Sequence, residues 1–213
     1  MKKVAKKDFN TFLAYFGWTI PIMLMVFWAS YFFIYRQIYA TKPYEKITIL
    51  YAAYGVKDNS IHTKLKSELE SHNCYEVNHY SYNRDSQDLI KHYNALAPLC
   101  DYFVFSETDL NDMHEAIEKN FKPVSTDLVS KCNIPSSYSY YSFGTTNYGI
   151  KLYDKSDETY NSGKYFSNYI NFSNGTNVDS YYLLINKNSV NFDESANHIL
   201  GYLGLEYLFN ELN

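Results

Sequence analysis

The side chains that could do catalytic or metal chemistry are few, and their spacing favours structural roles. His72, Cys74 and His79 lie close in sequence but alternate across a predicted turn and strand start, which is not the spacing of a zinc site. His114 and Glu115 lack the second histidine that completes a zinc-binding helix. We therefore predict neither a metal site nor a cofactor.

Motifs for phosphate binding and nucleophilic catalysis are also missing from the sequence. It holds neither G-x-x-x-x-G-K nor G-x-G-x-x-G, and Ser106 and Ser142 do not stand in a G-x-S-x-G turn. Glu107 and Asp109 could form a carboxylate pair, but they fall in the first turn of a predicted helix. Capping and the helix dipole account for acidic residues there. The sequence therefore predicts a protein that is not an enzyme.

What remains is a binding surface, expected beyond the carboxyl ends of the predicted parallel strands. Tyrosine offers a flat face for a sugar ring and a hydroxyl for hydrogen bonds. The alternative is compositional, since the chain holds 24 Tyr and they must lie somewhere. The candidate ligand-binding residues are Tyr51, Tyr54, Gly55, Ser106, Glu107, Tyr141 and Tyr148.

Net charge limits which partners the outer domain could bind, and the cysteine content limits how the domain could be cross-linked. Residues 1–42 hold six Lys and Arg against one Asp, so with a net charge of −4 overall, residues 43–213 carry about −9. An acidic domain argues against nucleic acid and against electrostatic contact with anionic lipid. Cys74, Cys100 and Cys132 are too few and odd in number for a disulfide framework, which favours free buried thiols; a single bridge stays open.

An uncharged stretch near the N-terminus predicts a membrane anchor. Residues 12–35 would form about 36 Å of helix, enough for a hydrocarbon core of about 30 Å. Bulky residues crowd its end, so an uncleaved anchor is favoured over a cleaved signal peptide. Four Lys among the first seven residues place the N-terminus in the cytoplasm. We predict a cytoplasmic tail (1–11), a transmembrane helix (12–35), a linker (36–46) and an extracellular domain (47–213) of a single-pass cell-membrane protein.

The outer domain begins with alternating strand and helix patterns. Predicted strands at 47–53, 75–82 and 101–105 are each followed by a predicted helix, starting near Ser60, Ser86 and Ser106. This order is typical of a three-layer α/β domain with a mostly parallel sheet and helices on both faces.

The second half of the outer domain has weaker patterns. Strands are predicted at 148–153 and 181–185, with irregular structure over 125–147 and a long polar loop over 154–179. Asn191, with Glu194 three residues later, predicts the start of a C-terminal helix.

Four short segments carry a family resemblance. They are Asp101-Tyr-Phe-Val-Phe105, Phe121-Lys-Pro-Val124, Tyr148-Gly-Ile-Lys151 and Tyr182-Leu-Leu-Ile-Asn-Lys-Asn-Ser189. Together they resemble one lobe of the extracellular solute-binding proteins of ABC transporters, which have the type 2 periplasmic-binding architecture. The resemblance covers about 150 residues and departs at Lys151, where proline is usual.

The resemblance implies a missing second lobe. In the family that lobe is a domain-sized insertion, whereas roughly 25 residues separate Asp154 from Ser180 here. The implied role is an accessory to, or degenerate relative of, the substrate-binding component of a carbohydrate-type ABC transporter. Its expected partners are permease subunits or another envelope protein, and carbohydrate is a possible ligand. The alternative is a cell-surface interaction or scaffold module without a small-molecule ligand.

The missing lobe gives a structural expectation. Strands 148–153 and 181–185 should lie side by side and antiparallel, with the 154–179 loop projecting from the domain. The C-terminal helix should pack back on the first lobe through Ile199, Leu200, Leu203 and Leu208.

Overall fold

The computed structural model describes residues 11–12, 14–83, 93–157, 163–175 and 178–210. It divides into two compact units, Met1–Thr41 and Lys42–Asn213. The boundary falls inside the linker that the sequence predicts at 36–46.

The N-terminal unit contains helix α1 (Thr19–Tyr39). The apolar segment Ala14–Tyr39 has 26 residues, and its most apolar window of 18 residues has a mean hydropathy of 1.6 and is not buried. A helix of that length spans about 39 Å, so it is long and apolar enough to cross a membrane. Aromatic side chains four residues apart contact one another along it: Tyr31 stacks on Tyr35, and Tyr35 is tilted against Tyr39.

The outer unit is built on one six-stranded sheet. Its strands are β1 (Lys46–Ala53), β2 (Glu76–Asn83), β3 (Tyr102–Ser106), β4 (Tyr140–Phe143), β5 (Thr146–Tyr153) and β6 (Tyr181–Ile185). They lie in the order β2-β1-β3-β6-β5-β4. β1 runs parallel to β2 and β3, whereas the β3–β6, β6–β5 and β5–β4 pairs are antiparallel.

The expectation of a mostly parallel sheet is therefore wrong, because three of the five pairings are antiparallel. The physical reason lies in the second half of the chain. β4 and β5 are joined by a two-residue turn, which antiparallel strands allow and parallel strands do not. Gly144 in that turn has φ of +62°, the conformation that tight hairpin turns favour.

Helices cover both faces of this sheet. They are α2 (Ser60–Leu69), α3 (Glu107–Asp112), α4 (His114–Asn120), α5 (Thr126–Lys131), α6 (Gly163–Tyr169) and α7 (Leu200–Asn210). Side chains alternate along β1, so Ile47 and Ile49 pack with residues of α2, α5, α6 and α7, and Leu50 packs with residues of α3 and α4. The helix predicted to start at Ser86 lies outside the described residues.

The two strands that flank the 154–179 segment are antiparallel neighbours, as predicted. Gly149 pairs with Leu184 and Ile150 with Leu183 in the antiparallel β5–β6 ladder. α7 packs on α2 and β1. It does so closely, because a Cβ on Gly204 would lie 2.9 Å from Ile47 Cδ1. Of the four predicted packing residues, Leu200 and Leu208 are buried, Leu203 is half-buried and Ile199 is 37% exposed.

Two expectations for the connecting segments are wrong. Residues 125–147 are not irregular, since they contain α5 and β4. We call the 154–179 segment the connection, and its described residues (154–157, 163–175 and 178–179) pack on the domain instead of projecting from it. The connection contains α6, and Phe166, Ile170 and Phe172 are buried in the core on the α2 side of the sheet. These apolar side chains take up core space that a purely polar loop would leave empty.

Candidate binding surface at the carboxyl end of the parallel strands

Tyr51 points into the core and not toward a ligand. It shares a sheet face with Ile47 and Ile49 and is 2% exposed. Its hydroxyl lies 3.0 Å from Nε2 of His62 on α2. The His62 ring stacks on that of His79 from β2, with centroids 4.2 Å apart and planes at 7°. These contacts make Tyr51 part of a buried aromatic cluster.

The buried histidine of this cluster strongly resists protonation. Burial, followed by the neighbouring His79, lowers the pKa of His62 to about 4. Burial also lowers the pKa of His79. The Nδ1 atom of His62 is buried and has no hydrogen-bond partner in the part of the chain that the structure describes. Both rings are therefore neutral at pH 7.

Tyr54 and Gly55 follow β1 directly, where the sequence predicts a ligand, but the connection covers them. The Tyr54 amide donates to the Asn171 carbonyl at 2.9 Å, and the Asn171 amide donates to the Gly55 carbonyl at 2.8 Å. The next residue, Val56, forms a bridge with Ile170. The Tyr54 hydroxyl is buried and has no hydrogen-bond partner among the described residues. The connection thus takes the backbone hydrogen bonds of Tyr54 and Gly55 that a ligand could otherwise use.

Ser106 and Glu107 at the end of β3 serve mainly to start α3. The Ser106 hydroxyl donates to Asp109 Oδ2 at 2.6 Å and accepts from the Asp109 amide at 3.1 Å, so the predicted capping interaction is present. Ser106 is fully buried, and the Glu107 amide donates to the Ser180 carbonyl at 2.8 Å. Ser180, the residue directly after the connection, therefore covers this strand end as well.

Polar side chains fasten the connection to α3. The Thr108 hydroxyl donates to Asp179 Oδ2 at 2.6 Å, and the Thr108 amide reaches the same oxygen at 3.2 Å. Lys155 lies 3.4 Å from Glu107 and 3.7 Å from Asp179. Asp179 is buried, and its carboxylate contacts Thr108 of α3 and Lys155 of the connection. We call Glu107, Thr108, Lys155 and Asp179 the rim cluster.

Tyr141 and Tyr148 lie on the other face of the sheet from Tyr51. Both are buried with Leu50 and residues of α3 and α4. The Tyr141 hydroxyl donates to Asn111 Oδ1 at 3.0 Å. Burial, and then the charge of Glu107, raises the pKa of Tyr141. The structure thus brings Glu107 near Tyr141 but does not gather the seven candidates into one site.

The described residues provide no evident metal or thiol chemistry. Among them, no group of three or more His, Cys, Asp and Glu side chains is placed to hold a metal ion. Cys74, Cys100 and Cys132 are free and buried. Burial raises the pKa of Cys100 and of Cys132 to about 12, so both stay as thiols at pH 7.

At the amino end of β1 and β3 lies a polar cluster whose role the sequence patterns did not indicate. Asp101 is 5% exposed, and its carboxylate accepts from the Thr48 amide at 2.8 Å, the Ser189 hydroxyl at 2.5 Å and the Asn191 amide group at 2.9 Å. Asn191 also donates to the Lys46 carbonyl at 2.8 Å. It therefore joins the C-terminal segment to β1 and does not start a helix as predicted. We call Thr48, Asp101, Ser189 and Asn191 the amino-end hub.

No family model matches the sequence, and no curated protein matches it.

Proposed function

We propose that the protein is a non-enzymatic membrane protein whose outer domain is a degenerate relative of the substrate-binding component of a carbohydrate-type ABC transporter. Its role would be to contact permease subunits or another envelope protein. This proposal combines the sequence resemblance with the antiparallel β5–β6 pairing, which is the arrangement expected if a second lobe has been replaced by a short connection.

The observation that carries the proposal is the covered carboxyl end of β1 and β3. Ligands of open parallel sheets sit beyond these strand ends. Here the connection pairs with Tyr54 and Gly55, and the rim cluster holds it on α3. A solute would have to displace a packed, hydrogen-bonded segment, which supports contact with a protein over capture of a free sugar.

The proposal includes the topology of the chain. The apolar segment at Ala14–Tyr39 would remain as an uncleaved anchor, with the Lys-rich N-terminus in the cytoplasm and the acidic domain outside. The test is protease treatment of intact cells. We expect loss of the domain, with the anchor retained in carbonate-washed membranes. Release of a shorter soluble form would show that the segment is a cleaved signal.

The decisive experiment for the role is affinity purification of the full-length protein from detergent-solubilised membranes. We expect permease subunits of one transporter to co-purify. Recovery of envelope proteins without any transporter subunit would support the alternative, a cell-surface interaction or scaffold module. The covered strand ends argue against capture of a free solute under either role, so the partner that co-purifies decides between the two.

Sugar binding is the second test. Isothermal titration of the full-length protein with maltotetraose should give no saturable heat. Saturable binding that is lost in Tyr54→Ala and kept in the exposed control Tyr75→Ala would contradict a closed strand end and restore a solute-binding role.

A further inference from the structure

We propose that the outer edge of β2, residues 77–81, pairs antiparallel with the same segment of a second copy and joins two six-stranded sheets into one. This inference does not rest on the proposed transporter role, and its test is separate from that role.

The two edges of the sheet differ in length and regularity. β4, at one edge, has four residues, and its pairing with β5 is irregular between Tyr141 and Ser142. Short strands and bulges are common ways to prevent an edge from pairing with another chain. β2, at the other edge, is paired with β1 in unbroken register over eight residues. β2 is therefore long enough, and regular enough in its pairing, for another strand to add to its outer edge.

The sequence of β2 contains none of the usual protection against edge pairing. Glu76-Val-Asn-His-Tyr-Ser-Tyr-Asn83 has no proline, lysine or arginine, and Glu76, its one charged residue, stands at the start. Natural edge strands are commonly blocked by proline or by lysine, because either makes a paired neighbour costly. An unprotected regular edge in a folded domain is therefore best explained by a strand that pairs with it.

Charge identifies a second copy as the occupant. An antiparallel pair centred on His79 places Val77 opposite Ser81 and Asn78 opposite Tyr80, all of them neutral, and sends the two copies of Glu76 to opposite ends of the ladder. His79 is half-buried and stacked on His62, so it adds no charge at neutral pH. The strand thus meets itself without like-charge repulsion, although the domain as a whole is acidic.

The test is the molar mass of the full-length protein in detergent micelles, measured by light scattering after size exclusion. We expect two protomers per particle in the wild type. Ser81→Lys adds a positive charge at an exposed position of the edge, and we expect dissociation to be at least tenfold more favourable in that variant. Ser67→Lys, the same change at an exposed position of α2, should leave the dimer intact.

Engineered cysteines give a second readout. The natural cysteines are buried, so His79→Cys, which faces its own copy at the centre of the pair, should yield an oxidised dimer, whereas Ser67→Cys should not. A monomeric wild type would overturn the inference, and so would a dimer that Ser81→Lys leaves unchanged. A monomer that still co-purifies with permease subunits would leave the proposed function standing, and a dimer without them would leave this inference standing.

Discussion

The two ends of the parallel strands β1 and β3 are closed in different ways. At their amino ends, the amino-end hub fixes the C-terminal segment through a buried carboxylate with three hydrogen-bond donors. At their carboxyl ends, the connection supplies Ile170 and Phe172 to the core and joins Tyr54 and Gly55 through two backbone hydrogen bonds, while its side-chain polar contacts lie at the rim. Side-chain hydrogen bonds thus hold one end, whereas apolar packing and backbone pairing hold the other.

The two kinds of contact constrain the chain differently. Directional hydrogen bonds at Asp101 specify where the chain must return, and the stability of that contact depends on every donor being satisfied. Apolar packing at the other end tolerates more variation in the segment that supplies it, because it is non-directional. The expected responses to mutation follow from this contrast.

The largest effect is expected at the amino-end hub. Asp101→Ala leaves the buried Thr48 and Asn191 donors and the half-buried Ser189 hydroxyl without their acceptor, so the free energy of unfolding should fall by about 3–5 kcal/mol. Urea unfolding of the full-length protein in detergent, followed by near-ultraviolet circular dichroism, measures this. The control Asp127→Ala, at an exposed helix position, should change it by less than about 0.5 kcal/mol. Equal effects of the two variants would show that the hub contributes nothing specific.

The carboxyl end should respond nearly as strongly if the connection belongs to the core. Ile170 is fully buried, so Ile170→Ala should cost about 2–4 kcal/mol in the same urea assay. Ile199→Ala makes the same change at a side chain that is 37% exposed and should cost less than about 1 kcal/mol. If Ile170→Ala leaves the free energy of unfolding nearly unchanged, the connection is the projecting loop expected from sequence and not part of the core.

Lowering the pH should reduce the free energy of unfolding of the domain, because His62 is neutral and buried in the folded state. Its folded pKa of about 4 lies below the usual 6.5, so between these values the unfolded chain binds more protons. Stability should therefore fall as pH drops from about 6.5 to 4, by about 3 kcal/mol from this group. His62→Gln should remove that share of the pH dependence, and His72→Gln, at an exposed position, should not. Parallel pH profiles for all three proteins would rule out a neutral buried His62.

The rim cluster should give the smallest effect. Lys155 is about half exposed where it meets Glu107 and Asp179, and such ion pairs contribute little in water. Lys155→Ala should lower the free energy of unfolding by less than about 1 kcal/mol, and 0.5 M salt should remove most of the difference. A loss as large as that of Ile170→Ala would mean that polar contacts, and not packing, hold the connection.

Sequence patterns gave the five longer strands because apolar β-forming runs bounded by turns are strong local signals. They did not give sheet direction, which depends on pairing between distant segments. The position of Tyr51 just before a strand end predicts a ligand-binding residue. Alternation with Ile47 and Ile49 already placed it on the buried face.

The polar composition of the connection predicts a loop, although the segment also contains a short apolar pattern. Phe166, Tyr169 and Ile170 follow the spacing of one helix face, and all three are buried. The stacking of His62 on His79 and the three donors on Asp101 join residues far apart in sequence, so no local pattern could reveal them.

The central claim, that the connection covers the carboxyl end of β1, is tested most directly by hydrogen exchange of backbone amides in the full-length protein. The amides of Tyr54 and Asn171 are donors in the bonds that join β1 to the connection. We predict that both exchange slowly, with protection close to that of the β1 interior. Rapid exchange throughout 163–172 beside a protected β1 would contradict the claim.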